Sequence, residues 1–176
     1  MPRAGAFRED GPKLPVEFSR VALDGRVTLV VDPTVQAVPT YWVALDVQSH
    51  TEAVEELGFR EKIASAMRSR WIGLQAVDDR SLDAGDVDLV VRETIAAWLV
   101  DQPLDAVVWT ALPPRGPDGD LERPQFDHLL SHLKSLEGAA RSRAEEYIRR
   151  TPRLVRTRHR KRFEEILGWV PTVGGL

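Results

Sequence analysis

Val38 to Lys62, VPTYWVALDVQSHTEAVEELGFREK, is the stretch on which the fold turns. Tyr41, Trp42, Val43, Ala44 and Leu45 have the aromatic and β-branched content of a mostly buried strand. Ser49-His50-Thr51, with Glu52 close behind, announces a helix N-terminus. Ala53, Val54, Leu57 and Glu61 then share one helical face. The last position of that apolar stripe is a carboxylate. It either escapes to solvent at the helix end or sits in a cavity against the strand that carries Trp42.

Working outward, Val16 to Leu23 alternates, with Val16, Phe18 and Arg20 on one face. Asp24-Gly25 is a hairpin signal, Arg26 to Asp32 is the partner strand, and Pro33 ends it. With the Tyr41 strand this predicts an antiparallel meander. The helix after Ser49 is expected to reach about Arg70, and Trp71 to Gln75 reads as a fourth strand. An acidic loop from Asp78 to Asp86 precedes a helix over Val87 to Val100. Its inward set is Val87, Val90, Val91, Ile95, Trp98 and Leu99. Leu104 to Leu112, LDAVVWTAL, reads as a buried central strand.

Three helices follow. The first carries the stripe Phe126, Leu129, Leu130, Leu133 and Leu136. The second spans Ala139 to Arg150, with Ala140, Ala144, Tyr147 and Ile148 inward. The last, Thr157 to Trp169, offers Phe163, Ile166 and Leu167, with Gly168 near its end. Strands first and helices last indicate α+β: a small antiparallel or mixed sheet, or a barrel, flanked by helices. Residues 1–176 read as one domain, with 1–13 as coil.

The composition excludes several classes. There is no cysteine, hence no disulfide, thiolate metal site or cysteine nucleophile. No apolar run is long enough to cross a bilayer, and MPRAGAFRED has no secretory signature, so a cytoplasmic location is expected. The net charge of -3 is unevenly spread. Arg141 to Arg162 holds ten basic and two acidic side chains. Such a segment can bind a polyanion. The apolar residues threaded through it favour a solvated helical surface instead, so nucleic acid is not the expected partner.

Glu61 is the leading catalytic candidate, because a general acid/base near neutral pH wants a carboxylate in an apolar surround. Arg60 and Lys62 flank it, and the bland alternative is a surface salt bridge. Tyr41, Trp42 and Trp109, on expected central strands, are candidates to line a pocket. His128 and His132 are four apart on one helix but have no third ligand at a telling spacing. No metal and no cofactor are therefore expected. The glycines form neither a phosphate loop nor a dinucleotide fingerprint, and Ser19 and Ser49-His50 form no nucleophile motif.

Five segments together resemble a bacterial family related to the gamma-glutamylcyclotransferases. They are Asp10 to Asp32 (DGPKLPVEFSRVALDGRVTLVVD), Val38 to Asp46 (VPTYWVALD), Glu52 to Glu61 (EAVEELGFRE), Leu104 to Arg115 (LDAVVWTALPPR) and Glu145 to Trp169 (EEYIRRTPRLVRTRHRKRFEEILGW). The resemblance implies a small β-barrel flanked by helices, with Glu61 of LGFRE at the place of the catalytic glutamate. The implied substrate is a small γ-glutamyl compound. Its α-amine attacks its own γ-carbonyl, closing 5-oxoproline and expelling an amine, and one carboxylate carries the proton between the two nitrogens. The substrate supplies proximity, so the protein holds it folded and stabilises the oxyanion.

Two departures stand out. Nothing between Met1 and Gly11 matches the family's first strand and Tyr-Gly-Ser loop, and Lys62 replaces the glycine that follows the glutamate. A truncated or wrongly started gene product, or a relative that has lost the reaction, is the implied explanation. With that strand missing, a neighbour within Val16 to Val31 has an open edge, so self-association as a homo-oligomer, or poor stability as a monomer, is expected. A non-catalytic member that binds a small ligand or a protein is the alternative, and a polyanion binder through Arg141 to Arg162 the second.

Overall fold

The computed structural model describes residues 5–79 and 88–172. The strands are β1 (Lys13–Leu14), β2 (Val16–Val21), β3 (Val27–Val31), β4 (Val38–Pro39), β5 (Ile72–Ala76) and β6 (Ala106–Thr110). The helices are α1 (His50–Arg60), α2 (Arg68–Trp71), α3 (Leu89–Leu99), α4 (Phe126–Ser135), α5 (Gly138–Arg150) and α6 (Arg158–Leu167), with a 3₁₀ turn at Ser65–Met67 before α2. The chain is α+β. Its strands pair only two at a time, and no closed barrel forms among the described residues. It divides into two compact units, one of Met1–Leu14 and Pro39–Leu112, the other of Pro15–Val38 and Pro113–Leu176.

The second unit is built on the β2–β3 hairpin. Its turn closes with Gly25 N–H donating to the Ala22 carbonyl at 3.0 Å, and Gly25 takes a φ of 85° that a side chain would resist. A bulge at Ser19 separates the pair Phe18↔Leu29 from Arg20↔Thr28. Phe18 and Val21, three residues apart, therefore both reach the core with Val27. Arg20 pairs with Thr28 on the opposite face, which corrects the expectation that it shares a face with Phe18.

Over the apolar face lie Phe126, Leu129 and Leu133 of α4, Ala144 and Ile148 of α5, Phe163 of α6, and Trp169. Each large side chain so buried contributes about 1.5–3 kcal/mol. The expected α4 and α5 stripes are the observed ones. On α6 the expected Ile166 is exposed, and its place is taken by His159 and Arg160. Thr157 caps that helix from the Arg160 N–H at 3.2 Å, and Gly168 ends it in the left-handed region.

Arg160 is almost fully buried. Its guanidinium donates to the carbonyls of Thr151, Pro152 and Val155, closing the turn between α5 and α6. Arg162 lies over the Phe126 ring and Arg141 over Trp169. Arg149, Arg150 and Lys161 pair with Glu145, Glu146 and Glu165 one turn away. Much of the basic segment is thus spent inside its own unit.

In the first unit α1 and α3 pack against the antiparallel pair β5–β6. Gly73 of β5 sits opposite Trp109 of β6, and the indole covers it so closely that a Cβ there would lie 2.2 Å from the ring. Two expectations are corrected here. Tyr41 to Leu45 does not form a strand; only Val38–Pro39 is extended in a ladder, and Trp42 makes an isolated bridge with Arg8. The three-strand meander is therefore a two-strand hairpin. The apolar run Leu104 to Leu112 yields a five-residue strand that is half-buried throughout, not a buried central one. Val87 and most of the acidic loop lie outside the described residues. Of the expected α3 face, Val91, Ile95 and Leu99 are buried, Trp98 is half-buried, and Val90 is exposed.

Candidate functional site

Ser49 begins α1 by accepting from the Glu52 N–H at 3.1 Å, and the Glu52 carboxylate accepts from the Gln48 N–H at 2.7 Å. The helix buries Ala53 and Gly58. The Arg68 side chain packs on Gly58, its Nε donating to the Ile63 carbonyl at 3.2 Å while its Nη1 pairs with Glu55. The close of the helix decides where Glu61 goes. Ile63 N–H donates to Gly58 O at 2.8 Å and Lys62 N–H to Phe59 O at 3.2 Å, the two bonds of a Schellman turn. Lys62 occupies its left-handed position at φ 56°. Glu61 is the C-cap, and the chain turns so that Ile63, not Glu61, goes inward.

Glu61 is therefore exposed, with its Oε1 3.7 Å from Arg60 Nε. The pocketed position is corrected: the helix ends before the stripe reaches it. The side chain lines neither of two cavities found among the described residues of this unit. The carboxylate thus lacks the apolar surround that the sequence led one to expect for it.

The other three predicted residues lie in the same unit but are not gathered around Glu61 in a cavity. Trp42 is an anchor for the chain before β1. Its Nε1 donates to Asp10 Oδ1 at 2.8 Å, the Arg8 guanidinium lies 5.0 Å over its ring, and Trp98 meets it edge-on at 5.6 Å. Trp98 adds a bond to the Asp10 carbonyl at 2.8 Å. Tyr41 points its hydroxyl toward Glu9 at 3.5 Å. Trp109 lies flat on Gly73, its Nε1 buried and without a hydrogen-bond partner among the described residues.

The larger cavity, of about 390 Å³, lies between α3 and the end of β5. Leu89, Ala96, Leu99 and Val100 give it apolar walls, with Asp79, Arg92 and Glu93 as charged groups. Arg92 is buried, with Nε donating to Gln75 Oε1 at 3.2 Å and Nη2 to Leu74 O at 3.3 Å and Asp79 Oδ2 at 3.0 Å. Sequence reading missed it because it follows Val90 and Val91 in what looked like an apolar helix. Its only sequence signal is a charge at helical spacing from Ile95 and Leu99. A second cavity of about 360 Å³ adjoins His50, Val77 and Leu104.

The two histidines of α4 differ in their surroundings. His132 Nε2 lies 2.7 Å from the Gly25 carbonyl and His128 is exposed. No metal-ligating cluster occurs among the described residues. None of the described helices is long and apolar enough to cross a membrane.

Elsewhere, two carboxylates are buried in the second unit. Glu17 accepts from the N–H groups of Phe18 at 2.9 Å and His159 at 3.1 Å, holding the first turn of α6. Asp32 accepts from Thr34 and pairs with Arg123 Nε at 2.5 Å. Burial works to raise the Asp32 carboxyl. The bonds from Thr34 and Arg123, with the Arg123 charge, outweigh it and hold the group below its ordinary value. Comparison of the chain with protein-family models, curated proteins and solved structures finds no match.

Proposed function

We propose that the chain is a gamma-glutamylcyclotransferase-like protein whose ligand is a small γ-glutamyl amine or amide, and that any turnover runs through Glu61. What supports this reading is the run of five resembling segments, which sets Glu61 at the end of the helix packed on β5 and β6. Its carboxylate is open to an incoming substrate. The proton would leave the attacking α-amine and return to the expelled nitrogen through that one group. No metal or cofactor enters the reaction.

The test is 5-oxoproline release from a panel of γ-glutamyl compounds. Glu61→Gln keeps the shape but cannot accept the proton, so activity should fall by roughly 10²–10⁴-fold. Equal activity in both proteins would refute the role of Glu61. A second reading, a non-catalytic relative that binds a small ligand, is favoured by the solvated position of Glu61 and by the apolar cavity beside α3. No release from any compound, with ligand-induced stabilisation that Ala96→Trp abolishes, would select it.

A further inference from the structure

Two arginines of the second unit stand side by side, neither paired with a carboxylate among the described residues. The segment after Pro113 runs along β2: Arg115 N–H donates to Ser19 O at 3.0 Å, and Val21 N–H donates to Arg115 O at 2.8 Å. These bonds make Arg20 and Arg115 register neighbours in a parallel bridge. Neighbouring strands lie about 4.8 Å apart, and registered neighbours project to the same side. The bulge at Ser19 turns Arg20 to the face opposite Phe18.

Both side chains are half-buried. Arg20 Nη1 donates to the Pro113 carbonyl at 2.7 Å, which fixes its fork toward the Arg115 segment. Arg115 is held over the turn Gly116–Asp120, its Nη2 only 3.3 Å from where a Cβ on Gly119 would lie.

Among the described residues neither guanidinium forms an ion pair. Candidate acids are close in sequence. Glu17 shares the face of Arg20 but is taken by the N–H groups of Phe18 and His159. Asp32, directly after β3, is taken by Arg123 and Thr34. Asp118, Asp120 and Glu122, in the loop after Arg115, form no ion pair with either arginine.

Like charges set directly opposite in a sheet destabilise it. Burial, and then the charge of Arg115, push the Arg20 guanidinium below its ordinary value. Here the adjacency is also fixed by backbone bonds, by a bulge and by a glycine. Paired planar forks are the geometry that a carboxylate or phosphate occupies. We propose that Arg20 and Arg115 form an anion site for the carboxylate or phosphate group of a small molecule. The site stands apart from the reading of Glu61 and does not depend on it.

The test titrates the full chain with glutarate, with inorganic phosphate, and with sodium chloride at matched ionic strength, following thermal stability and binding heat. At least one oxyanion should give a saturable rise in Tm beyond that of chloride. Phosphate alone would assign a phosphate ligand, glutarate alone a carboxylate, and both a shared oxyanion site. Arg115→Gln should weaken binding roughly ten- to hundredfold, the loss expected for one charge-assisted partner. Without anion its Tm should equal or exceed that of the wild type, because a repulsion is removed. Arg115→Lys, which keeps charge but loses the fork, should fall between. The arginine Nε–H resonances of Arg20 and Arg115 should move on titration, a readout that remains if Arg115→Gln does not fold. Oxyanions no more effective than chloride, or a titration unchanged in Arg115→Gln, would overturn the proposal.

Discussion

Lys62 is the one described residue other than glycine with a positive φ, at 56°, and it holds the Schellman turn that ends α1. A side chain in the left-handed region costs about 1–2 kcal/mol, and glycine escapes that cost. Glycine also loses more freedom on folding, which offsets about 0.4–1 kcal/mol. Lys62 is exposed and forms no ion pair among the described residues, so little else is lost. Lys62→Gly should therefore stabilise the first unit by about 0.5–1 kcal/mol, raising Tm by roughly 1–4 °C for a chain of this size. Trp42, Trp71, Trp98 and Trp109 belong to that unit and only Trp169 to the other, so indole fluorescence reports chiefly the relevant transition. Urea titration should move the midpoint with no change in slope. Lys62→Ala serves as control: it keeps the strained φ and should gain almost nothing. An unchanged or lowered midpoint in Lys62→Gly, or an equal gain in Lys62→Ala, would refute the argument. The same substitution restores the glycine that the family resemblance expects after Glu61.

Three further outcomes are expected. Arg160→Met strips one buried and two partly buried carbonyls of their donor and should cost about 2–4 kcal/mol, read as a lower urea midpoint in far-UV circular dichroism. Gly73→Ala drives a Cβ into the Trp109 ring and should cost about 1–3 kcal/mol, with a red shift in emission as the indole is displaced; a silent variant would mean that the ring does not rest on Gly73. Asp32 has a folded pKa below its ordinary 3.8, so its contribution is present above that pH and lost as pH falls through the folded value. Asp32→Asn should therefore destabilise at pH 7 and flatten the stability profile below about pH 4, whereas parallel profiles would exclude this carboxylate.

What could be read from the chain was local. Asp24-Gly25 marked its hairpin, Ser49 its helix start and Gly168 its helix end, because each acts through its own backbone neighbours. The stripes of α4 and α5 were legible because three or four apolar residues at helical spacing leave one face to bury. The Tyr41 to Leu45 run was misread because strand preference needs a partner, and Trp42 found Arg8, Asp10 and Trp98 instead. Glu61 was placed by extending the helical period past a turn that periodicity cannot see. Arg160 looked like one more solvated base in a basic run, and only the fold shows three carbonyls around it. Arg20 was put on the wrong face by a bulge that no residue type announces.

Each unit is assembled from two separated pieces of chain, and this has a consequence for synthesis. The β2–β3 hairpin is complete at Val31, but the helices that cover Phe18 and Val27 end with Leu167. At about 5–20 residues per second, roughly 7–27 s pass on the ribosome between the two. Throughout that interval the hairpin's apolar face lacks its helical cover, and until Arg115 is made so does the outer edge of β2, which is a condition under which nascent strands pair with the wrong chain. Slowing translation between Pro39 and Leu112 should therefore lower the yield of folded protein, whereas supplying holdase capacity should raise it.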